Sequence, residues 1–209
     1  MSSYSQANQD LFSITCLQNK TNGFFVEIGS NHPITHNNTY LLESKYQWKG
    51  LMVEYDSSFL PLYKQYRKKS IYEINDARKV DYYGILTKNS FPNNIDYLQI
   101  DLDVNNRSTL DTLELLDKTV FDNYTFAAIT FEHDIYSGNY FDTQRISREI
   151  FQKRGYELIF PDVKVFWEEK FQPFEDWYVH PKLVDTQIID KFKTNESLNS
   201  DQIKKILMN

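Results

Sequence analysis

The chain has 209 residues, of which 41% are hydrophobic and 25% charged, the size and balance of one α/β domain with a substantial core. A formal net charge of −6 leaves no cationic surface for a phosphate backbone, so nucleic acid is not an expected partner. The single cysteine, Cys16, excludes an internal disulfide and suits a reducing compartment. With no basic-then-apolar leader and no apolar run of membrane-spanning length, the expected location is cytoplasmic.

Short apolar runs alternate with amphipathic stretches along the whole chain, without repeats. Leu11–Leu17 is apolar and holds Cys16, whose expected role is packing. Phe24–Gly29 reads as a buried strand ending in a turn, and 35–44 as a helix. At that first strand end, Glu27-Ile28-Gly29-Ser30-Asn31 combines a carboxylate that can meet an ammonium group with a glycine that permits close backbone approach. His32 and Pro33 follow where a dinucleotide fingerprint would continue with glycines, which argues against NAD and against a phosphate loop.

Leu51–Tyr55 is a second strand, and its Glu54 can accept both hydroxyls of a ribose, with Asp56 or Ser57 left to cap the helix near 59–68. The basic run Arg67-Lys68-Lys69 reads as a solvated helix end. A weaker third strand, 70–74, ends in Asn75-Asp76-Ala77, either the flank of an adenine ring or a simple turn. Strands at 95–101 and 125–131 flank a helix around 110–116, and a helix at 143–154 follows. Residues 155–160 and 177–179 supply two more strands, with a possible edge strand at 163–167. The expected fold is therefore a single Rossmann-like α/β domain over residues 1–209, mostly parallel with an antiparallel C-terminal strand and helices on both faces. Its core spans about residues 4–181, and 185–209 form a helical tail.

The fourth and fifth strands end in Asp101-Leu102-Asp103 and Glu132-His133-Asp134. Crowded carboxylates raise one another's pKa unless a cation intervenes, so Asp101, Asp103, Glu132 and His133 are candidate ligands for a divalent ion such as Mg or Mn. Asp101, Glu132 and His133 are also the candidate catalytic groups. Helix caps and surface charges are the alternative reading of the same residues. His-Glu-x-x-His, paired cysteines and Gly-x-Ser-x-Gly are all missing, which argues against zinc proteases and serine hydrolases.

Several segments resemble the FkbM-type methyltransferases: residues 5–10 (Ser-Gln-Ala-Asn-Gln-Asp), 23–31 (Gly-Phe-Phe-Val-Glu-Ile-Gly-Ser-Asn), 37–43, 48–54, 96–101, 130–133 and 174–181. The resemblance covers about residues 4–181 and is most specific in the first fifty. It implies an S-adenosylmethionine-dependent O-methyltransferase, often of sugars. It places Glu27, Gly29, Ser30 and Asn31 by the methionine end of the cofactor, Glu54 on the ribose, and Asp76 with Ala77 near the adenine. Gln6, Asn38 and Thr39 would close the cofactor site, with Asp101 bordering it. Two departures stand out: His32-Pro33 replaces the family's Asp-Gly, and Asp103-Val104-Asn105-Asn106 replaces its continuation through Glu-Gly. The first touches the cofactor turn and the second the acceptor side.

Two rivals remain. A metal-dependent glycosyltransferase would use Asp101-Leu102-Asp103 as its Asp-x-Asp pair, and a non-catalytic module would bind cofactor or glycan without turnover. Trp167, Trp177 and Tyr178 could stack on a sugar face or belong to the core. The composition, rich in Asn, Lys, Tyr and Ile with only 6 Gly, fits an AT-rich genome such as that of some viruses with glycan-modifying enzymes.

Overall fold

A computed structural model describes residues 2–208. Its elements, in chain order, are α1 (Gln9–Cys16), β1 (Phe24–Ile28), α2 (Tyr40–Tyr46), β2 (Lys49–Glu54), α3 (Leu60–Tyr66), β3 (Ile71–Ile74), α4 (Tyr82–Lys88) and β4 (Asn94–Ile100). They continue with α5 (Ser108–Thr119), β5 (Thr125–Glu132), α6 (Phe141–Lys153), β6 (Glu157–Trp167), β7 (Lys170–Val179), α7 (Thr186–Phe192) and α8 (Ser200–Met208). The strands form one sheet in the order β3-β2-β1-β4-β5-β7-β6. The pairs β3–β2, β2–β1, β1–β4 and β4–β5 are parallel, while β7 runs antiparallel between β5 and β6. The architecture expected from the sequence is present.

Side-chain alternation builds a core on each face of this sheet. Phe25, Met52, Tyr97, Ala128 and Trp177 pack under Phe12 of α1, Leu42 of α2, Tyr63 of α3, Phe192 of α7 and Ile203 of α8. Ile28, Val53, Leu98, Phe131 and Tyr178 pack under Leu86 of α4, Leu113 of α5 and Phe151 of α6. Trp177 and Tyr178 are thus core residues, whereas Trp167 is 52% exposed. Cys16 is buried in the first of these cores.

The elements differ from the sequence reading in several places: α4 lies in a stretch with no expected helix, and β7 begins at Lys170 rather than near residue 177. The helix expected at 35–44 begins only at Tyr40, because the Asn37 side chain accepts the backbone N–H groups of Thr39 and Tyr40 and holds a turn there. Residues 157–167 form one long bulged strand rather than a strand plus a separate edge piece. The apolar stretch near the start forms α1, an eight-residue helix. Among the described residues no helix is long and apolar enough to cross a membrane.

Candidate functional site

In open α/β sheets ligands sit beyond the carboxyl ends of the strands, and here two adjoining clefts open there. One, of about 420 Å³, is lined by Glu54, Tyr55, Asn75, Asp76, Ala77 and Arg78 with Leu102 and Asp103. The other, of about 710 Å³, is lined by Gln6, Glu27, Gly29, Ser30, Asn31, His32, Asn38, Glu54 and Asp101 among others. Glu54 and Leu102 border both, so the two form one elongated groove.

Gly29 has φ +84, and a Cβ placed on it would lie 1.7 Å from the backbone oxygen of Asp101. The close approach that requires glycine is therefore to the end of β4, not to a ligand. Glu54 accepts the backbone N–H of Asn31 at 2.7 Å and of Asp56 at 2.8 Å. A carboxylate offers about four acceptor sites, so Glu54 keeps capacity for a diol while fixing the turn after β1. Asp56 caps the 3-10 turn that follows by accepting Ser58 N–H at 2.8 Å. Asp76 likewise caps a turn, and Arg78 grips it with both Nε and Nη2 at 2.9 Å. That hydrogen-bonded guanidinium holds the Asp76 carboxyl down at about 2.

Glu27 is buried and accepts Asn37 Nδ2 at 3.2 Å, Asn38 N–H at 3.2 Å and Thr39 Oγ1 at 2.9 Å. Burial raises its pKa, opposed by the charge of Arg67 and by these hydrogen bonds. Arg67 overturns its own sequence reading: it is fully buried rather than a solvated helix end. Its guanidinium donates to Glu43 Oε2 at 2.9 Å, Asn37 Oδ1 at 2.9 Å and Thr39 Oγ1 at 2.6 Å, with Glu27 Oε2 at 3.8 Å. The side chain clamps the turn 37–39 from behind. Thr39, expected beside the cofactor, is not part of the groove lining, since its hydroxyl bridges Glu27 and Arg67. Asn38 does line the groove, and its buried Oδ1 has no hydrogen-bond partner among the described residues.

At the ends of β4 and β5, Asp101 and Glu132 are hydrogen-bonded to each other, and Glu132 also to Asp134. Burial raises all three. Glu132 is driven well up, with the Asp101 charge adding to the effect, and Asp134 reaches about 6. Glu175, opposite Glu132 across the β5–β7 ladder, continues the row. It accepts Gln9 Nε2 at 3.0 Å and Trp177 Nε1 at 2.5 Å. Burial pushes it to about 8. Within this row burial and mutual repulsion favour the protonated forms.

The four-residue metal set expected from the sequence is not assembled. Asp103 accepts Asn105 N–H at 2.9 Å and Asn106 Nδ2 at 3.3 Å, as the cap of a turn. His133 follows Glu132 directly, so strand alternation turns it to the other face. Its Nε2 lies 3.5 Å from Asp162 and 3.6 Å from Asp176. Among the described residues these three form the one group whose ligand-type atoms gather within 4.8 Å. The cationic place there is taken by Arg148, which donates to Asp176 at 2.7 and 2.8 Å and to Asp162 at 2.9 Å. Asp101 and Glu132 stay together at the strand ends, whereas His133 turns away from them to Asp162 and Asp176.

No protein-family model matches this sequence, and no curated protein matches it. Solved structures do. A Clostridium thermocellum protein described as an rRNA methylase aligns over 86% of this chain and 99% of its own, with TM-score 0.52 and 9% identity. The precorrin-6y C5,15-methyltransferase of Geobacter metallireducens GS-15 aligns over 81% and 86%, with TM-score 0.53 and 11% identity. A TehB-like SAM-dependent methyltransferase of Corynebacterium glutamicum aligns over 82% and 87%, with TM-score 0.50 and 13% identity. The likeness is one of fold. These neighbours are methyltransferases, and this chain shares their sheet and helix arrangement.

Proposed function

We propose that this chain is an S-adenosylmethionine-dependent O-methyltransferase of the FkbM type, acting on a sugar hydroxyl of a glycan or glycoconjugate. The observation that carries the proposal is the groove at the carboxyl ends of β1, β2 and β4, where Glu54 borders both clefts and is read here as the ribose acceptor. The residues present fit the cofactor. Asn38 Oδ1 is a buried acceptor with no protein partner, Glu54 retains acceptor capacity, and Asp76-Ala77 walls the adenine end. The motifs of residues 5–54 and 96–101 supply the family reading and the sugar. The net charge of −6 supports an acceptor other than nucleic acid.

When bound, the sulfonium cofactor supplies an electrophilic methyl group. The chain's own part is to hold the acceptor hydroxyl in line and to take its proton, and alignment of this kind can supply much of the acceleration. Asp101 lines the groove and is the proposed base. A carboxyl raised by burial is a better proton acceptor at neutral pH than a solvated one. Glu132, hydrogen-bonded to Asp101 and driven well up by burial, keeps the proton of that pair and leaves Asp101 to act as the base.

The test is transfer of a labelled methyl group from S-adenosylmethionine to a panel of mono- and oligosaccharides. Asp101→Asn is expected to bind S-adenosylhomocysteine like the parent and to lose at least about 100-fold in turnover. Full turnover in that variant would remove Asp101 from the chemistry.

A further inference from the structure

His32 lines the polar half of the groove, and its ring is set by the backbone beneath it. Nδ1 accepts the N–H of Ile34 at 3.2 Å and of Thr35 at 3.0 Å. A nitrogen that accepts two N–H groups carries no hydrogen, so the ring proton sits on Nε2. The main chain of the residue is held as well, since its N–H donates to Asn31 Oδ1 at 2.7 Å. The ring also stands edge-on to Phe59 with centroids 6.3 Å apart. Among the described residues Nε2 has no hydrogen-bond partner. A half-buried donor held in place from the backbone side thus borders a cavity of about 710 Å³.

The rest of that lining says what the donor is for. It includes three acids, Glu27, Glu54 and Asp101, and no lysine or arginine. Several neighbouring donors are already committed. Ser30 Oγ donates to the Glu27 backbone oxygen at 3.2 Å, the Asn31 N–H to Glu54 at 2.7 Å, and the Asn38 N–H to Glu27 at 3.2 Å. An anionic group entering this cavity meets repulsion from the acids and needs a donor not yet engaged. Gln6 and His36 line the cavity too and make no side-chain hydrogen bond among the described residues, but of these three donors His32 alone has its side chain held by hydrogen bonds. A zwitterion suits the acceptor at Asn38 Oδ1 and the donor at His32 Nε2.

We infer that His32 binds the α-carboxylate of the cofactor's amino-acid end through Nε2–H, with the ammonium directed to Asn38 Oδ1. The inference rests on the cofactor class proposed above. It makes His32 a ligand-binding residue rather than a base, because the nitrogen facing the cavity already carries its proton.

The test compares two ligands on three proteins by calorimetric titration. S-adenosylhomocysteine has the amino-acid end, and 5′-methylthioadenosine lacks it while keeping adenine and ribose. His32→Ala is expected to weaken S-adenosylhomocysteine about tenfold or more, as loss of a hydrogen bond to a charged group does, and to leave methylthioadenosine within about twofold. His32→Gln, whose amide places an N–H near the position of Nε2, is expected to recover most of the affinity. Methylthioadenosine binding also shows that each variant is folded. Equal weakening of both ligands, or of neither, would overturn the inference while leaving the cofactor class intact. Failure of the parent protein to bind S-adenosylhomocysteine would overturn the cofactor class and this inference with it.

Discussion

Removing the Arg67 guanidinium separates the support of the groove from the groove itself. In Arg67→Met the apolar stem is kept, but Glu27 and Glu43, 1% and 5% exposed, lose their buried cation. Asn37 Oδ1 loses its 2.9 Å donor and Thr39 Oγ1 its 2.6 Å donor. Breaking a buried ion pair from one side costs about 3–5 kcal/mol, a large share of the stability of an ordinary domain. With a urea m-value of about 2–3 kcal/mol/M for a chain of this size, the unfolding midpoint followed by tryptophan fluorescence should fall by about 1–2.5 M. The deficit carries a pH signature. Burial holds the folded Glu27 pKa above its unfolded value, with Arg67 opposing, and without Arg67 it rises further. A raised folded pKa contributes stability that is present below the unfolded carboxylate range and is lost as pH rises through the folded value. The variant should therefore be hurt more near pH 8 than near pH 5. Arg67→Lys keeps the charge but not the fork, and should fall between parent and Met variant. A deficit below about 1 kcal/mol, or one independent of pH, would refute the clamp.

Gly29→Ala should destabilise by about 3 kcal/mol or more, because a left-handed backbone and a direct overlap with the Asp101 carbonyl combine; denaturant unfolding measures it, and near-parent stability would contradict the packing at β1 and β4. Glu54→Gln retains only one acceptor oxygen for the Asn31 and Asp56 amides and the ribose, so calorimetry should show both S-adenosylhomocysteine and methylthioadenosine weakened about tenfold. With Glu175 raised to about 8 by burial, the folded protein binds a proton that the unfolded chain has released between about pH 5 and pH 8. Its contribution to stability falls through that window by up to about 1.4 kcal/mol per unit. Glu175→Gln should flatten this decline in unfolding experiments run across the window, whatever it costs in hydrogen bonds to Gln9 and Trp177.

The strands were legible because each is a short apolar run bounded by a turn signal, and the order in which carboxylates end them located the groove. Glu54, Asn31 and Asp101 sit where their positions after β1, β2 and β4 placed them. What the sequence concealed lies in the third dimension. Arg67 reads as one of three adjacent basic residues, and only the packing of α3 against the 37–39 turn makes it a buried clamp. His133 is next to Glu132 in sequence but on the other face of the sheet, where Arg148 from α6 and Asp162 from β6 meet it. Glu175 offers no motif of its own, and its place in the acidic row follows from the antiparallel register of β7 on β5. Thr39 carries the right chemistry, but its bridge between Glu27 and Arg67 takes its hydroxyl out of the groove.

Calorimetric titration of the parent protein with S-adenosylhomocysteine, with a UDP-sugar as control, bears most directly on the central claim. Micromolar or tighter binding of S-adenosylhomocysteine, with none of the UDP-sugar, is the expected result. Binding of the UDP-sugar in its place would contradict the methyltransferase account and favour sugar transfer.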